Sequence, residues 1–558
     1  MTVRDASKSA RLARRMTVWA WREPRASRLL VAAGVAFAWI ALSVWATVEQ
    51  IRTSGADPSW PEWVGELAYA PLIYLTPNND FFPGHDLPWQ GQVARFAGPL
   101  LPALGVVWLL RRHVLEAAAG LLLKHFAHGH AVIFGKGGSA DRLAIASSAE
   151  GSCVVLADPS IAGDGPRRAV LGKAGVFALS QAPWAIGKAG SCVSWSLTDT
   201  DSLAAATELV GNGACSEGDV HVRVATFETQ RALRHSPGLL QSGRLRLRPV
   251  SPEGVSMRLA LCDAQLVADA CLREQDRVTL CLWGGSASLV WAAELALRHN
   301  WSQALGPPRV RLSLVCDPRF LRTLVDETLG FSAHAPKVFD EDCLPELACL
   351  TDASEAMDPA ITRHIVDFGD DEATLSCAFR LAEDLGQALE APPPVQPVLR
   401  SGASAARIFR ETGLQFAAPI LVSAEETLSR MVGRAQDETA AMLHKAYAER
   451  FGGDGIPASG RWQDIAETYV HANRAAADHI TVKFWDAKHS GLDGEELVEA
   501  LAVVEHRRWC AERLLDGWIP GERDNARRMH PNLVPWAELT EADRDKDRDQ
   551  VRSVLEGR

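Results

Sequence analysis

A glycine-rich turn near residue 135 has the residue types and the spacing that bind a phosphate group. The segment HAVIFGKGGSADRLA is typical of a buried strand, a tight turn and a helix. Glycines in such a turn let backbone N–H groups approach a pyrophosphate at the positive end of the helix dipole. The candidate binding residues, which fit the pattern G-x-G-x-x-A, are Gly135, Gly137, Gly138 and Ala140. The alternative is that the glycines only permit close packing of strand and helix.

An acidic residue stands at the distance from this turn that a ribose contact requires. The apolar run CVVLADPS predicts a second strand, and the strand ends at Asp158, 23 residues after Gly135. An acid about 20 residues beyond the glycines accepts hydrogen bonds from ribose hydroxyls in dinucleotide-binding folds. Asp158 therefore completes the predicted nucleotide site.

The same pattern occurs twice, which indicates two related α/β domains. The segment RVTLCLWGGSASLVWAAELAL repeats strand, turn and helix around Gly284 and Gly285, and both second strands end in Asp-Pro, at Asp158 and Asp317. The repeat predicts a tandem of Rossmann-like α/β domains, over residues 124–265 and 266–422. The second turn lacks the full spacing, so its phosphate site is less well supported. The proline-rich stretch APPPVQP is typical of a stiff boundary segment.

The region from about Ala131 to Glu228 resembles the TrkA-N half of RCK domains, with HVRVATFE as a later strand. In that family such sites bind NAD(H) or adenine nucleotides, or lose the ligand and keep the fold. The resemblance therefore implies NAD(H) or an adenine nucleotide as the cofactor of the first domain.

The C-terminal segment combines aromatic and cationic side chains. His506, Trp509 and Arg513 recur at i, i+3 and i+7, which places them on one face of a predicted helix. Aromatic planes and guanidinium groups together stack a base and hold its phosphate. The alternative is that the tryptophans form the core of a small helical unit. The candidate ligand residues are His506, Trp509, Arg513, Trp518, Arg523, Asp524, Arg527 and His530.

This segment, from about Leu497 to Val554, resembles the RyR domain, the repeat named after ryanodine receptors. The matching residues are Glu505, His506, Trp509, Gly517, Trp518, Asp524, His530-Pro531, Leu533-Val534-Pro535, Leu539 and Asp547–Asp549. With the helices before it, the segment predicts a mostly α-helical RyR domain over residues 423–558. The resemblance implies an interaction or ligand-sensing module that is not a catalyst.

Two apolar segments near the N-terminus predict membrane spans. Leu29 to Val48 is twenty residues without a charge, about the length that crosses a bilayer, whereas a signal peptide has a shorter apolar region. Phe96 to Leu110 reaches a spanning length only if its helix begins near Leu87. Eight of the first 28 residues are Lys or Arg, and the stretch between the spans is mainly acidic, so both termini are expected in the cytoplasm.

The segment between the predicted spans, residues 60–84, is too apolar for an ordinary loop. It predicts a helix from Glu62 to Leu72 and then a turn-rich stretch, an order that resembles the pore region of two-span potassium channels with RCK domains. The stretch LTPNND stands where that family has a TVGYG-like filter, so strict potassium selectivity is not expected. An extracellular hairpin that only packs the spans together is the alternative. The candidate pore residues are Thr76, Asn78, Asn79 and Asp80.

Composition and missing motifs exclude several classes of protein. The chain has 558 residues, of which 47% are hydrophobic, as expected of several packed domains. A net charge of -11 argues against binding of a nucleic-acid polymer. Eleven cysteines without a CxxC pair indicate reduced thiols. The histidines of HFAHGH lack the acidic or thiol partners of a metal site, and no catalytic motif is present, so neither a metal nor enzymatic activity is expected.

Together these features predict a membrane α-helical module followed by a cytoplasmic α/β Rossmann-like tandem and a mostly α-helical RyR domain. The membrane part comprises a basic N-terminus, residues 1–28, and a two-span module, residues 29–123. We expect a channel-like protein of the bacterial inner membrane, gated by a small nucleotide-type ligand and assembled by default as a homotetramer, because two spans cannot enclose a pore. The alternatives are a non-conducting anchored sensor, for example in antiviral signalling, and an NAD-dependent oxidoreductase.

Overall fold

A computed structural model describes most of the chain as α-helices and parallel β-strands. The residues described are 3–22, 26–55, 57–75, 89–125, 129–180, 189, 191–196, 198–211, 218–235, 241–242, 245–304, 309–315, 331, 333–344, 346–350, 353–400, 409, 411–422, 437–451, 460–462 and 464–556. The chain divides into two compact units, of which the first comprises Met1–His130 and Gly151–Lys188, and the second Ala131–Glu150 and Ala189–Arg558.

The helices and strands carry the following bounds. The helices are α1 Val3–Trp21, α2 Ala26–Ser54, α3 Trp60–Leu75, α4 Trp89–His125, α5 Gly138–Ala149, α6 Gly165–Lys173, α7 Asp199–Gly211, α8 Phe227–Arg234, α9 Pro252–Leu261, α10 Gln265–Leu272, α11 Ala287–His299, α12 Asp371–Ala388, α13 Glu438–Phe451, α14 Glu467–Asp478, α15 Ile480–His489, α16 Gly494–Leu515 and α17 Glu541–Glu556. The strands are β1 Ala131–Phe134, β2 Val154–Ala157, β3 Val176–Leu179, β4 Ser191–Ser194, β5 Gly218–Arg223, β6 Gln241–Ser242, β7 Leu245–Val250, β8 Arg277–Gly284, β9 Arg309–Val315, β10 Glu346–Cys349, β11 Arg363–Asp367, β12 Val395–Leu399, β13 Ile420–Leu421, β14 Ile519–Pro520 and β15 Met529–His530.

In the first unit, α2 and α4 pack side by side in opposite directions. The indole nitrogen of Trp39 donates a hydrogen bond to the carbonyl oxygen of Ala94, at 3.0 Å. Nearly two turns further along α2, the ring of Trp45 lies 5.9 Å from that of Trp89, the first residue of α4. Later residues of α2 thus meet earlier residues of α4, so the two helices run antiparallel.

The two predicted membrane spans lie in α2 and α4. Among the described residues, one helical stretch, Ala33–Ser54, is long and apolar enough to cross a bilayer. It overlaps the first predicted span. The second predicted span, Phe96 to Leu110, lies inside the 37-residue helix α4, where several side chains are outside the described set, so it stays a prediction. The predicted helix between the spans corresponds to α3, and the turn-rich stretch after it, with Thr76, Asn78, Asn79 and Asp80, lies outside the described residues.

The N-terminal helix α1 is fixed to this unit by its last residue, Trp21. The Trp21 indole nitrogen donates to the Glu116 carboxylate of α4 at 2.7 Å, and the Arg112 guanidinium carbon lies 4.5 Å from the centre of the ring. On its other side the ring touches α6, where a Cβ at Gly172 would overlap the indole. One side chain therefore joins α1, α4 and α6.

In the second unit, two parallel sheets have the alternation of strand and helix that the sequence predicts. Strands β1, β4, β5 and β7 pair in parallel, and β6 pairs antiparallel with β7. The second sheet has the order β10-β9-β8-β11-β12-β13 and is parallel throughout. The predicted Rossmann-like α/β character is thus confirmed. The stretch APPPVQP is not a linker, because its end forms the buried strand β12, which pairs with β11 and β13.

The C-terminal helices pack on the second sheet's helices instead of standing apart. One hydrophobic core contains residues of α11, such as Leu289 and Ala293, together with Val504, Ala511 and Leu514 of α16. Asp486 of α15 accepts hydrogen bonds from the backbone N–H groups of Gln303 and Ala304, which follow α11, at 2.8 and 3.2 Å. The second α/β domain and the RyR segment therefore fold as one body.

The contact between Trp21 and Gly172 generates a stability prediction. Trp21→Ala should lower the free energy of unfolding by about 3–5 kcal/mol, the usual cost of deleting a large aromatic side chain. Gly172→Ala should also destabilise the protein, because its Cβ overlaps the indole. In a Trp21→Ala background, however, Gly172→Ala should cost almost nothing. Thermal unfolding of the four proteins in detergent measures this coupling, and additive effects would contradict the contact.

Candidate ligand sites

The first glycine turn contains one glycine needed for packing and one that leaves space. A Cβ at Gly135 would overlap the carbonyl oxygen of Trp195, because the end of β4 lies directly against the turn. Gly137 has φ +89° and a Cβ there would have no described atom within 4 Å. Gly137 also precedes α5, whose first N–H groups receive no side-chain cap. The helix N-terminus at Gly138 and the buried Ala140 thus have the arrangement expected of a phosphate-binding turn.

The acidic partner predicted for this turn, Asp158, already has partners of its own. It lies in the first unit, fully buried, and pairs with the Arg167 guanidinium at 2.7 Å. It also accepts hydrogen bonds from the backbone N–H and the hydroxyl of Ser160, at 2.8 and 2.7 Å. Burial alone would raise the pKa of Asp158, but these donors lower it below its ordinary value. Asp158 therefore caps the short helix Pro159–Gly163, and its contact to a ribose stays a prediction.

The second glycine turn is closed by side chains of the protein. A Cβ at Gly284 would overlap the carbonyl oxygen of Asp367, so this glycine is required by the pairing of β8 with β11. The guanidinium of Arg400 donates to both carboxylate oxygens of Asp367, at 2.8 and 2.9 Å, and to the Ser286 hydroxyl at 2.9 Å. The side chains of Arg400, Asp367 and Ser286 thus bond one another beside this turn, although α11, like α5, begins without a side-chain cap. Asp317 lies outside the described residues.

The RyR segment encloses a cavity of about 280 Å³. It is bounded by α13, α14, α16, α17 and the loop after α16. Six of the eight ligand residues predicted from the sequence line it: His506, Trp509, Arg513, Trp518, Arg523 and His530. The spacing on one helix places the residues of α16 together, as the sequence indicates, and their role in ligand binding stays a prediction.

The other two predicted residues lie away from the cavity lining. Asp524 accepts hydrogen bonds from the backbone N–H groups of Ala526 and Arg527, both at 3.0 Å, and so shapes its own turn. The side chain of Arg527 is 80% exposed and only approaches Asp524, at 3.7 Å. These residues shape the loop and its surface.

Part of the lining comes from helices that sequence reasoning did not assign to the site. Helix α13 contributes Tyr447, Arg450 and Phe451, and α14 contributes Tyr469 and Asn473. Both helices precede the segment with recognisable matches, and their amphipathic pattern carries no sign of a ligand. Arg508 of α16 was also missed, since its neighbour Arg507 is equally basic and only the fold decides which one is buried.

Aromatic rings form one wall of the cavity. The Trp509 and His530 rings meet edge to face at 5.0 Å, and Trp518 lies 6.2 Å from His530. The ring of His506 stacks on Trp509 at 5.9 Å. A flat ligand can stack on such surfaces, because offset and edge-to-face arrangements of aromatic rings are favourable.

The lining carries an excess of positive charge. Five cationic side chains face three carboxylates, those of Asp543, Asp547 and Asp549. Asp549 pairs with Arg450 at 2.9 Å and Asp543 with Lys546 at 2.7 Å. The Arg513 guanidinium carbon lies 5.4 Å from the Trp518 ring centre, and Arg513 donates to Glu512 at 2.7 Å. An anionic ligand is therefore favoured over a cationic one.

Two of the three histidines that line the cavity, His506 and His530, have opposite charge states. Burial, with the nearby Arg523 and Arg513, lowers the pKa of His530 to about 4, so its ring is neutral at physiological pH. Burial also acts against a charge on His506, but Cys510 and the Asp547 carboxylate, 3.4 Å away, raise the pKa of His506 well above its ordinary value. His506 also bonds the carbonyl oxygen of Val534 at 2.9 Å, and so fixes the loop that carries Leu533.

Metal and thiol chemistry receive no support from the described residues. Among these, no group of histidine, cysteine and acidic residues is arranged to hold a metal. Of the three histidines in HFAHGH, His128 lies outside the described residues and His130 is buried. Eight described cysteines are free thiols, in line with the sequence expectation, whereas Cys192 is disulfide-bonded.

Comparison with known proteins identifies the C-terminal segment. Residues 491–557 match the RyR domain family, which confirms that resemblance. No curated protein matches the chain. Two solved structures are weakly similar: GsuK bound to ADP, at 13% identity and a TM-score of 0.31 over 73% of this chain and 97% of that chain, and the GsuK channel bound to NAD, at 10% identity and a TM-score of 0.33 over 74% and 84%. The two-span channel resemblance stays a prediction.

The neutral state of His530 predicts a dependence of stability on pH. The pKa of His530 is about 4 in the folded protein and about 6.5 in an unfolded chain, so unfolding takes up a proton between these values. Its contribution to stability is complete above about pH 6.5 and is lost as the pH falls towards 4. His530→Gln should flatten the pH dependence of the unfolding free energy by about one proton, as measured by urea titrations between pH 4 and 8. The exposed His489→Gln is the matched control, and an equal effect of both substitutions would contradict the assignment.

Proposed function

We propose that the chain is a membrane-anchored, channel-like sensor whose RyR cavity binds a small nucleotide-type ligand. The observation that carries this proposal is the cavity itself, in which Trp509, Trp518 and His530 lie beside Arg513 and Arg523. Aromatic planes next to guanidinium groups match a nucleobase joined to a phosphate. A volume of about 280 Å³ is at the lower end of small-molecule sites, which favours one nucleotide over an extended dinucleotide.

The cavity offers little support for catalysis. Each of its carboxylates has a cationic neighbour: Arg450 for Asp549, Lys546 for Asp543 and His506 for Asp547. A general base needs a carboxylate or imidazole that is free to take a proton from the substrate. The neutral imidazole of His530 already accepts a hydrogen bond at Nδ1 from the backbone N–H of Asn532, at 3.1 Å. We therefore propose binding without turnover, and not an oxidoreductase.

A membrane location is supported by the surface of the first unit. Large apolar side chains on α2 and α4 face outward, among them Phe37, Phe96 and Leu100, which are at least 60% exposed. Exposed apolar surface on helices as long as α2 and α4 is typical of contact with lipid or with other copies of the chain. We propose the bacterial inner membrane, with both termini in the cytoplasm and four copies around the pore, because a pore requires more helices than one chain contains.

A chain of buried polar contacts leads from the cavity to the second α/β domain. Arg513 of the lining bonds Glu512, Glu512 contacts His471 at 3.2 Å, and His471 contacts Arg298 of α11 at 2.8 Å. An anion that draws Arg513 away from Glu512 changes the charge balance of this chain. Ligand binding can then favour one conformation of this shared body over another, in proportion to the difference in the ligand's affinity for the two conformations.

The first glycine turn is a second candidate site, for NAD(H) or an adenine nucleotide. The observation that favours it is the open space at Gly137, beside an uncapped helix N-terminus. This site and the cavity are separable by experiment, because Gly137→Val would weaken binding at the turn and leave the cavity unchanged.

Substitution of the aromatic wall should weaken ligand binding. We expect Trp509→Ala to lower the affinity of the full-length protein in detergent for a nucleoside monophosphate about five- to 150-fold, because stacking on an aromatic side chain contributes about 1–3 kcal/mol per base. Calorimetry with AMP, GMP, CMP and UMP measures this. Arg527→Ala is the control, since Arg527 lies outside the lining. An equal loss in both variants, or no binding of any nucleotide by the wild type, would refute the cavity as the sensor site.

Ion flux tests the channel part of the proposal. In reconstituted liposomes, a nucleotide that binds the cavity should start a weakly cation-selective flux, since rings of carboxylates favour cations. Asp80→Asn should reduce the preference for cations over chloride. Binding without any flux would identify the non-conducting anchored sensor, and potassium-over-sodium selectivity equal to that of filter-bearing channels would contradict the proposed pore.

A further inference from the structure

Two buried donors in the cavity lining have no acceptor. The side-chain nitrogen Nη1 of Arg508 and the indole nitrogen Nε1 of Trp518 are both inaccessible to solvent and make no hydrogen bond to any described residue. Arg508 is 2% exposed and Trp518 is 4% exposed. Buried donors are almost always bonded, since an unmet donor costs about 1–3 kcal/mol, and more when it is charged. A ligand with acceptor oxygens would therefore supply the hydrogen-bond partners that these two donors lack among the described residues.

The surroundings of Arg508 show why its Nη1 cannot be satisfied internally. Its Nε and Nη2 atoms donate to the Glu505 carboxylate at 2.8 to 3.1 Å. The same carboxylate accepts a hydrogen bond from Gln550 at 3.1 Å and lies 2.6 Å from the Nζ atom of Lys483. Two cationic side chains thus share one carboxylate in a region from which water is excluded. The Glu512 and Asp547 carboxylates also act on Arg508 electrostatically, but neither accepts a hydrogen bond from its Nη1 atom, so this atom still lacks an acceptor.

The surroundings of Trp518 lead to the same conclusion. Its ring is packed between the Arg513 guanidinium, 5.4 Å away, and the His530 ring, 6.2 Å away. A phenylalanine would fill this place if packing were the only requirement, because the indole N–H is left without an acceptor. The indole N–H of Trp518 therefore has no structural role in the protein without a ligand.

We propose that Arg508 and Trp518 are the specificity contacts for the phosphate of the ligand, donating from Nη1 and from Nε1 to its anionic oxygens. This inference rests on the proposed function, in which the cavity binds a nucleotide-type ligand, and it adds where the acidic group is recognised. The aromatic wall of Trp509 and His530 then holds the base, and the two buried donors distinguish a nucleotide from its nucleoside. Ligand entry requires a small shift of the side chains that cover these two atoms.

The test compares a ligand that carries the phosphate with one that lacks it. Calorimetry on the full-length protein in detergent, with AMP and adenosine, would be performed on the wild type, Trp518→Phe, Arg508→Lys and the control Arg527→Ala. Trp518→Phe keeps an aromatic ring, although a smaller one, and removes the indole N–H. Arg508→Lys keeps a positive charge that can pair with Glu505. We expect each to weaken AMP binding about tenfold and adenosine binding less than twofold, because hydrogen bonds to charged groups are the strong ones. Arg527→Ala should change neither.

The outcomes separate this inference from the proposed function. If Trp518→Phe weakens AMP and adenosine equally, or neither, the phosphate contact is wrong while the cavity remains the nucleotide site. If the wild type binds no nucleotide or nucleoside, the proposed function fails. Binding of inorganic phosphate by the two donors is then tested on its own. A rise in melting temperature with phosphate in the wild type, absent in Trp518→Phe, would support them, and no rise in the wild type would refute them.

Without ligand, Trp518→Phe should lower the melting temperature modestly, because the smaller phenyl ring leaves part of the buried indole site empty. The readout that isolates the N–H is therefore the difference between AMP and adenosine binding within each variant.

Discussion

The second unit depends on one helix, α16, that serves two surfaces at once. Val504, Ala511 and Leu514 belong to the hydrophobic core shared with α11 of the second α/β domain. Trp509 and Arg513, on the same helix, face the cavity. Because the interior of a protein is close-packed, a helix in this position cannot rotate or shift for one surface without disturbing the other. The position of the cavity is therefore set by the packing of the α/β domain.

The two glycine turns show how one sequence pattern leads to two kinds of site. At Gly135 and Gly284 the reason for glycine is the same, since a Cβ would overlap a carbonyl oxygen of the neighbouring strand. The two turns differ in the side chains that surround them. Arg400 and Asp367 bond each other beside the second turn, whereas a Cβ at Gly137 of the first turn would meet no described atom within 4 Å. Glycine by itself therefore indicates a close approach of the backbone, and only the surrounding side chains indicate a ligand.

The sequence predicts those features that depend on local spacing. The parallel sheets follow from alternating apolar strands and helices, and the cavity residues of α16 follow from helical periodicity. The features it misses depend on tertiary contacts. Nothing in the order of residues shows that Asp158 is paired with Arg167, that APPPVQP ends in a central strand, or that Tyr447 of α13 reaches the cavity. In each case the contact joins two separate elements of the fold. Tyr447, for example, is about 60 residues before the cavity residues of α16 along the chain.

The boundaries of the cavity differ from those of the recognised family segment. The RyR match begins at residue 491, but Tyr447, Phe451 and Asn473, all of them earlier in the chain, complete the lining. A fragment that begins at residue 491 would lack the part of the lining that α13 and α14 contribute. The cavity face of α16 would then be exposed to water. The segment that matches the family therefore does not contain the whole binding site. Substitutions in α13 and α14 would thus change the lining of the cavity without changing the segment that matches the family.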